Sequence, residues 1–279
     1  MSVRFRLPDF IKSMIRNAAF GDRELFHAYD QLFQNIESGN LIVRIPDFGG
    51  AFEIGATSHI LRRVLVENNY EPELLDLIRK KIDPARDAID VGANIGLLTV
   101  FMARLVSGTS RVLAIEPTPA AIRRLRGNIT RNGCDDRVVV FEGVASHSAG
   151  SFLLNYVPGK EEYSSLGKIV HPSVAAETCC QLQVPADTID SLTEKFGLNP
   201  GLIKIDTEGS EEHVLAGAAN TMRKHRPVIV CESWPQELLA ASGGIPGAVG
   251  AILRKHEYKL MTLDCPADSI VAIPNEQPS

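Results

Sequence analysis

Long apolar runs are missing from this chain of 279 residues. No stretch reaches the ~18 residues of a bilayer span, and the N-terminus lacks the ~7–15-residue apolar run of a secretory signal. Cysteine is scarce and unpatterned: five residues, no C-x-x-C pair, and Cys179 next to Cys180. This excludes a regular disulfide framework and a clustered-cysteine zinc site. The thiols are expected to act as small apolar groups in a reducing, cytoplasmic setting. A positive excess is missing too. The net charge of −5 gives no footprint for nonspecific phosphate binding and disfavours a nucleic-acid partner. What remains, 44% hydrophobic and 23% charged residues, is ordinary globular composition with material for one large core.

Residues 1–69 read as a small helical cap, with a short extended piece at 41–45, turns at Gly49-Gly50 and Gly55, and a helix over 58–67. Residues 70–279 read as the main domain. Its first helix, over 72–81, opens with Pro72 in the first turn. From Arg86 onward short apolar runs alternate with helical spacings. The runs lie at 88–91, 112–115, 138–141, 202–205, 228–231, 258–263 and 270–273. Such alternation predicts an α/β fold, a mostly parallel sheet with helices on both faces. Residues 146–185 break the rhythm and are expected to form an insertion or hairpin, with extended pieces at 152–157 and 181–185.

The strongest local signal is Asp90-Val-Gly92-Ala-Asn94-Ile-Gly96, directly after the first strand and opening a helix. Gly92 and Gly96 remove side chains where backbone bends sharply or approaches a ligand. Asp90 lies at the carboxyl end of its strand, where open α/β sheets bind ligands. Twenty residues beyond Gly96 the next strand ends in Glu116-Pro117, and an acid there can accept hydrogen bonds from ribose hydroxyls. A dinucleotide site normally has a middle glycine, because pyrophosphate needs close backbone N–H groups. Here that position is Asn94, and the Asp90 carboxylate would repel a pyrophosphate. The same carboxylate suits S-adenosyl-L-methionine, which carries an ammonium and a sulfonium. Glu142, ending the third strand, is placed near the expected adenine.

The sequence resembles the FkbM family of class I methyltransferases. The resemblance is carried by Asp90–Gly96, Glu116-Pro117-x-Pro119, Asn128 with Asn132, Asp206-Thr-Glu208-Gly-x-Glu211, Val214-Leu-x-Gly217-Ala218, and Pro227-x-Ile229-x-Cys231-Glu232. It covers roughly Tyr70–Glu232. It implies a seven-stranded, Rossmann-like sheet and methylation of oxygen on a small molecule, a polyketide-like product or a glycan.

Methyl transfer asks the protein chiefly to align donor and acceptor, and a hydroxyl acceptor must also shed a proton. Asp206, Glu208 and Glu232 are the candidate catalytic residues, the first two as base and the third as helper. Three such oxygen donors can also hold magnesium, although no metal is assigned. The candidate cofactor residues are Asp90, Gly92, Asn94, Gly96, Glu116, Pro117 and Glu142. Glu211 and His213 are read as structural, while Tyr163, Ser164, Ser165 and Trp234 are candidates for the acceptor pocket. The alternatives are an NAD(P)-dependent oxidoreductase on a doubly wound fold and a cofactor-binding protein without turnover. The oligomeric state stays open, a dimer being compatible.

Overall fold

The computed structural model describes residues 39–66, 70–174, 176–262 and 269–275. The chain begins there with β1 (Asn40–Ile45), β2 (Gly50–Gly55), α1 (His59–Val66) and α2 (Pro72–Lys81). The strand–helix alternation follows as β3 (Asp87–Val91), α3 (Leu97–Leu105), β4 (Val112–Glu116), α4 (Pro119–Arg131) and β5 (Val138–Glu142). Next come β6 (Val144–Ala145), β7 (Gly150–Tyr156), β8 (Cys180–Asp187) and α5 (Ile189–Phe196). The C-terminal part holds β9 (Pro200–Ile205), α6 (Glu211–Ala216), α7 (Ala219–His225), β10 (Val228–Glu232), α8 (Gln236–Ser242), α9 (Ala248–Lys255), β11 (Tyr258–Thr262) and β12 (Ser269–Pro274).

Seven strands form one sheet in the order β11-β12-β10-β9-β3-β4-β5. The five from β10 to β5 are parallel, and β12 and β11 close one edge antiparallel. Each of the seven apolar runs read from the sequence supplies one strand. β3, β4 and β9 are buried along their whole length because both faces are covered. Successive side chains point to opposite faces, so alternate residues enter different cores. Ala88, Val112, Ala114 and Leu202 pack with the hairpin and α1–α4. Ile89, Leu113, Ile115, Ile203 and Ile205 pack with α5, α6, α7 and α9.

Residues 146–185 hold β7 and the first part of β8, which pair antiparallel, while β6 adds to the end of β8 as a third strand. Residues 40–55 depart from the sequence reading. They form a full antiparallel hairpin, with Gly50 and Gly55 at the ends of β2 rather than in turns. The cause is tertiary. Asn128 of α4 donates to the Glu53 carbonyl at 3.2 Å and accepts from its N–H at 2.7 Å. One turn on, Asn132 treats Ala51 the same way, at 2.9 and 3.1 Å. Two side-chain amides thus stand in for a neighbouring strand along the open edge of β2. Of the cap read over residues 1–69, residues 39–66 lie within the described part.

Candidate active site

The register of the parallel strands brings charged side chains together. Asp90 of β3 is the direct partner of Lys204 of β9, so the two share a face of the sheet. Asp206, two residues beyond Lys204, continues the same alternation just past the strand end. Glu232 ends the neighbouring β10. These residues open into a cavity of about 440 Å³ above the carboxyl ends of the strands.

The turn after β3 explains its own sequence. Gly92 has φ 78°, and a Cβ there would overlap the carbonyl oxygen of Asp206. Asn94, at the position of the middle glycine of a dinucleotide turn, adopts φ 48°, a left-handed conformation that asparagine tolerates. Gly96 does not line the cavity. Its Cβ would press into Leu125 of α4 at 2.6 Å, so this glycine serves helix packing.

Asp90 is completely buried. Its Oδ2 accepts a 2.6 Å hydrogen bond from Thr99 Oγ1, and its Oδ1 has no hydrogen-bond partner. Burial raises its carboxyl above the ordinary range, against the pull of Lys204 and Thr99. Glu116 Oε1 accepts from the N–H and hydroxyl of Thr118 at 2.9 and 2.6 Å, and Oε2 accepts from Asn94 N–H at 2.9 Å. A carboxylate has about four acceptor positions, so one stays open on Oε2. Burial pushes this carboxyl up to about 7. Pro117 also lines the cavity. Glu142 does not. It sits half-exposed outside, ion-paired with Arg126 at 2.7 Å.

At the other end Asp206, Glu208 and Glu232 each bring a carboxylate oxygen within 4.8 Å of the others, a set that can hold a divalent cation. Lys204 Nζ lies 3.2 Å from Asp206 and 3.7 Å from Asp90. Burial would lower its pKa, but Asp206 and Asp90 outweigh that and hold the ammonium charged. Burial, then Asp206, pushes Glu208 and Glu232 well above the usual carboxylate range. Glu208 has φ 55°, a strained left-handed conformation. Glu211 holds the loop in shape, its Oε1 accepting from Thr207 N–H and hydroxyl and from Gly209 N–H at 3.0–3.1 Å. Trp234 Nε1 donates to Glu232 Oε2 at 2.9 Å, and Ser165 of the inserted segment donates to the Glu208 carbonyl at 2.7 Å.

Sequence reasoning missed part of the wall. Glu162 accepts from the N–H of His59 at 2.8 Å and the hydroxyl of Ser58 at 3.2 Å, fixing the start of α1 over the cavity. Tyr163, already an acceptor-pocket candidate from the sequence, lines the cavity, bonds His59 Nδ1 at 2.6 Å and stacks on His171 at 4.5 Å. Tyr70, Glu71 and Arg63 complete that side. These residues carry no motif. Lys204 did leave a signal, a lone charge inside an apolar strand.

The buried Asp90 Oδ1, which accepts no hydrogen bond and has Lys204 Nζ at 3.7 Å, fits an ammonium group, while the turn offers little to a pyrophosphate. The N–H groups of Gly92 and Ala93 go to the Ile115 carbonyl, that of Gly96 to Ala93, and that of Asn94 to Glu116. The sequence model of the methyltransferase FkbM domain matches residues 90–260. This chain belongs to the FkbM methyltransferase family. S-adenosylmethionine is the cofactor of its domain. The FkbM-family chain is 27% identical over 214 residues to the 31-O-demethyl-FK506 methyltransferase FkbM of Streptomyces tacrolimicus, covering 65% of this chain and 75% of that one. It is 33% identical over 85 residues to the ribosomal protein L11 methyltransferase of Chloroflexus aurantiacus, spanning 30% of this chain and only 25% of the relative's length. The crystal structure of methyltransferase FkbM from Methylobacillus flagellatus KT aligns with 18% identity and a TM-score of 0.49, over 77% of this chain and 52% of that one.

Proposed function

We propose that this chain transfers a methyl group from S-adenosylmethionine to a hydroxyl oxygen of a small molecule, polyketide-like product or glycan. The observation that carries the reading is the meeting of Asp206, Glu208 and Glu232 at the reactive end of a crevice whose other strand tips present Asp90 and Glu116. When bound, the cofactor supplies a methyl carbon activated by sulfonium. Asp90 Oδ1 holds its ammonium, and the open position on Glu116 Oε2 takes one ribose hydroxyl. Gly92, Asn94 and Pro117 shape the floor beneath them.

An acceptor hydroxyl loses its proton as the methyl arrives, and a base with a pKa near the working pH serves best. Burial and the neighbouring Asp206 raise Glu208 and Glu232, the direction such a base requires. Asp206, fixed by Lys204, orients the hydroxyl. The cavity wall from His59, Tyr163 and Trp234 offers rings and hydrogen-bonding edges suited to a polyhydroxylated acceptor. His59, Ile60 and Arg63 of α1 line this side of the cavity.

The test is to incubate the protein with labelled cofactor and a panel of hydroxylated compounds, then locate the transferred methyl by NMR. A methyl ether is expected. Transfer to nitrogen or carbon would remove the oxygen assignment, and absence of homocysteine-product release with every acceptor would favour binding without turnover.

A further inference from the structure

The amino-acid end of the cofactor carries a carboxylate as well as an ammonium, and the two require opposite partners. Asp90 answers the ammonium. A carboxylate set down beside Asp90, Asp206, Glu208 and Glu232 would be repelled unless a donor stood among them.

Much of the backbone in the two loops is already engaged. At the turn after β3 the N–H groups of residues 92, 93, 94 and 96 are already bonded within the protein. Across the crevice the Asp206 N–H goes to the Val91 carbonyl, and those of Thr207 and Gly209 go to Glu211. Among the described lining residues the permanently cationic side chains are Arg63 and Lys204. Arg63 is drawn to Glu71 at 3.5 Å and lies over the Tyr70 ring at 4.6 Å. Lys204 lies directly beside Asp90 in the β3–β9 register. Its ammonium has three N–H donors, with Asp206 at 3.2 Å and Asp90 at the longer 3.7 Å, so a third acceptor can be received from the cavity side.

We propose that Lys204 binds the cofactor's carboxylate, making Asp90 and Lys204 a clamp of opposite polarity for the zwitterionic amino-acid end. The proposal rests on the S-adenosylmethionine reading and adds a selectivity to it. The clamp distinguishes intact cofactor from its decarboxylated form, which lacks the group that Lys204 receives. It also accounts for an otherwise costly buried lysine in an apolar strand.

The test is calorimetric titration with S-adenosylhomocysteine, its decarboxylated analogue and methylthioadenosine, which lacks the whole amino-acid end. A charge-assisted contact predicts at least ~10-fold preference of the wild type for S-adenosylhomocysteine over the decarboxylated analogue. In Lys204→Met that preference should fall to within about 2-fold, with methylthioadenosine affinity unchanged. Because Lys204→Met leaves two carboxylates without their partner, the double variant Lys204→Met/Asp206→Asn carries the same comparison if the single variant misfolds. A wild type without the preference, or a variant that keeps it, overturns the clamp. So does a variant that weakens methylthioadenosine equally, since Lys204 would then serve only the fold. A wild type that binds none of the three ligands removes the methyltransferase reading itself.

Discussion

The backbone N–H of Asn94 donates to Glu116 Oε2 at 2.9 Å, tying the turn after the first core strand to the tip of the second. This bond ties together two features that the sequence displays twenty-two residues apart. It requires Asn94 to hold φ 48°, so the asparagine reproduces the backbone of a glycine while its N–H orients the acid. Replacement by valine, whose branched side chain resists that conformation, should cost about 1–3 kcal/mol of stability, while Asn94→Gly should be nearly neutral. Urea denaturation checks this, and equal stabilities for the two variants would refute it.

Glu116 also makes stability depend on pH. Its carboxyl stands at about 7 in the folded chain against an ordinary 4.5, so the native state binds more protons than the unfolded state between those values. Stability contributed by this group therefore falls as pH rises through that window, by up to roughly 3 kcal/mol. Glu116→Gln should flatten the difference between unfolding free energies at pH 5 and pH 8. An unchanged difference would show that the burial argument is wrong.

Cofactor choice is open to a simple thermal measurement. S-adenosylhomocysteine at a hundred times its dissociation constant should add ~2.7 kcal/mol and raise the melting temperature by roughly 5 °C, whereas NAD and NADP should not. Asp90→Ala should lose the response while still folding. Stabilisation by NAD or NADP alone would overturn the assignment.

For the acid cluster, Glu208→Gln should lower turnover ~100-fold or more while cofactor affinity changes little. Because burial and Asp206 raise both Glu208 and Glu232, activity in the wild type should climb with pH above the ordinary carboxylate range. A pH–rate profile with its acid limb at an ordinary carboxylate value would take the base role away from this pair. Asp206→Asn should likewise spare binding and reduce the rate.

Asn128 predicts a purely structural effect. It is fully buried and bonds the Glu53 backbone on both sides and the Ile95 carbonyl at 2.8 Å. Asn128→Leu strands those groups and should destabilise the fold by about 3 kcal/mol or more. A loss below ~1 kcal/mol would mean that the hairpin does not depend on this stitch.

Local pattern carried much of this protein. The alternation of apolar runs and helical spacings marks all seven strands of the main sheet, and the glycine turn and the acids at the strand tips stand out by spacing alone. These are short-range properties, set by side-chain periodicity and by where backbone must bend. What pairs across the sheet is different in kind. Lys204 meets Asp90 only because the two strands align in one register, and no local period records a contact between residues that far apart. Glu142 ends a strand as Glu116 does, yet its partner is Arg126 outside the cavity. The roof from Glu162, Tyr163 and His59, and the amide stitch from Asn128 to β2, likewise arise from segments distant in the chain. The sequence alone determined the sheet and the acids at its tips; the tertiary structure decided which charges face one another, because register and the two faces of the sheet settle that choice.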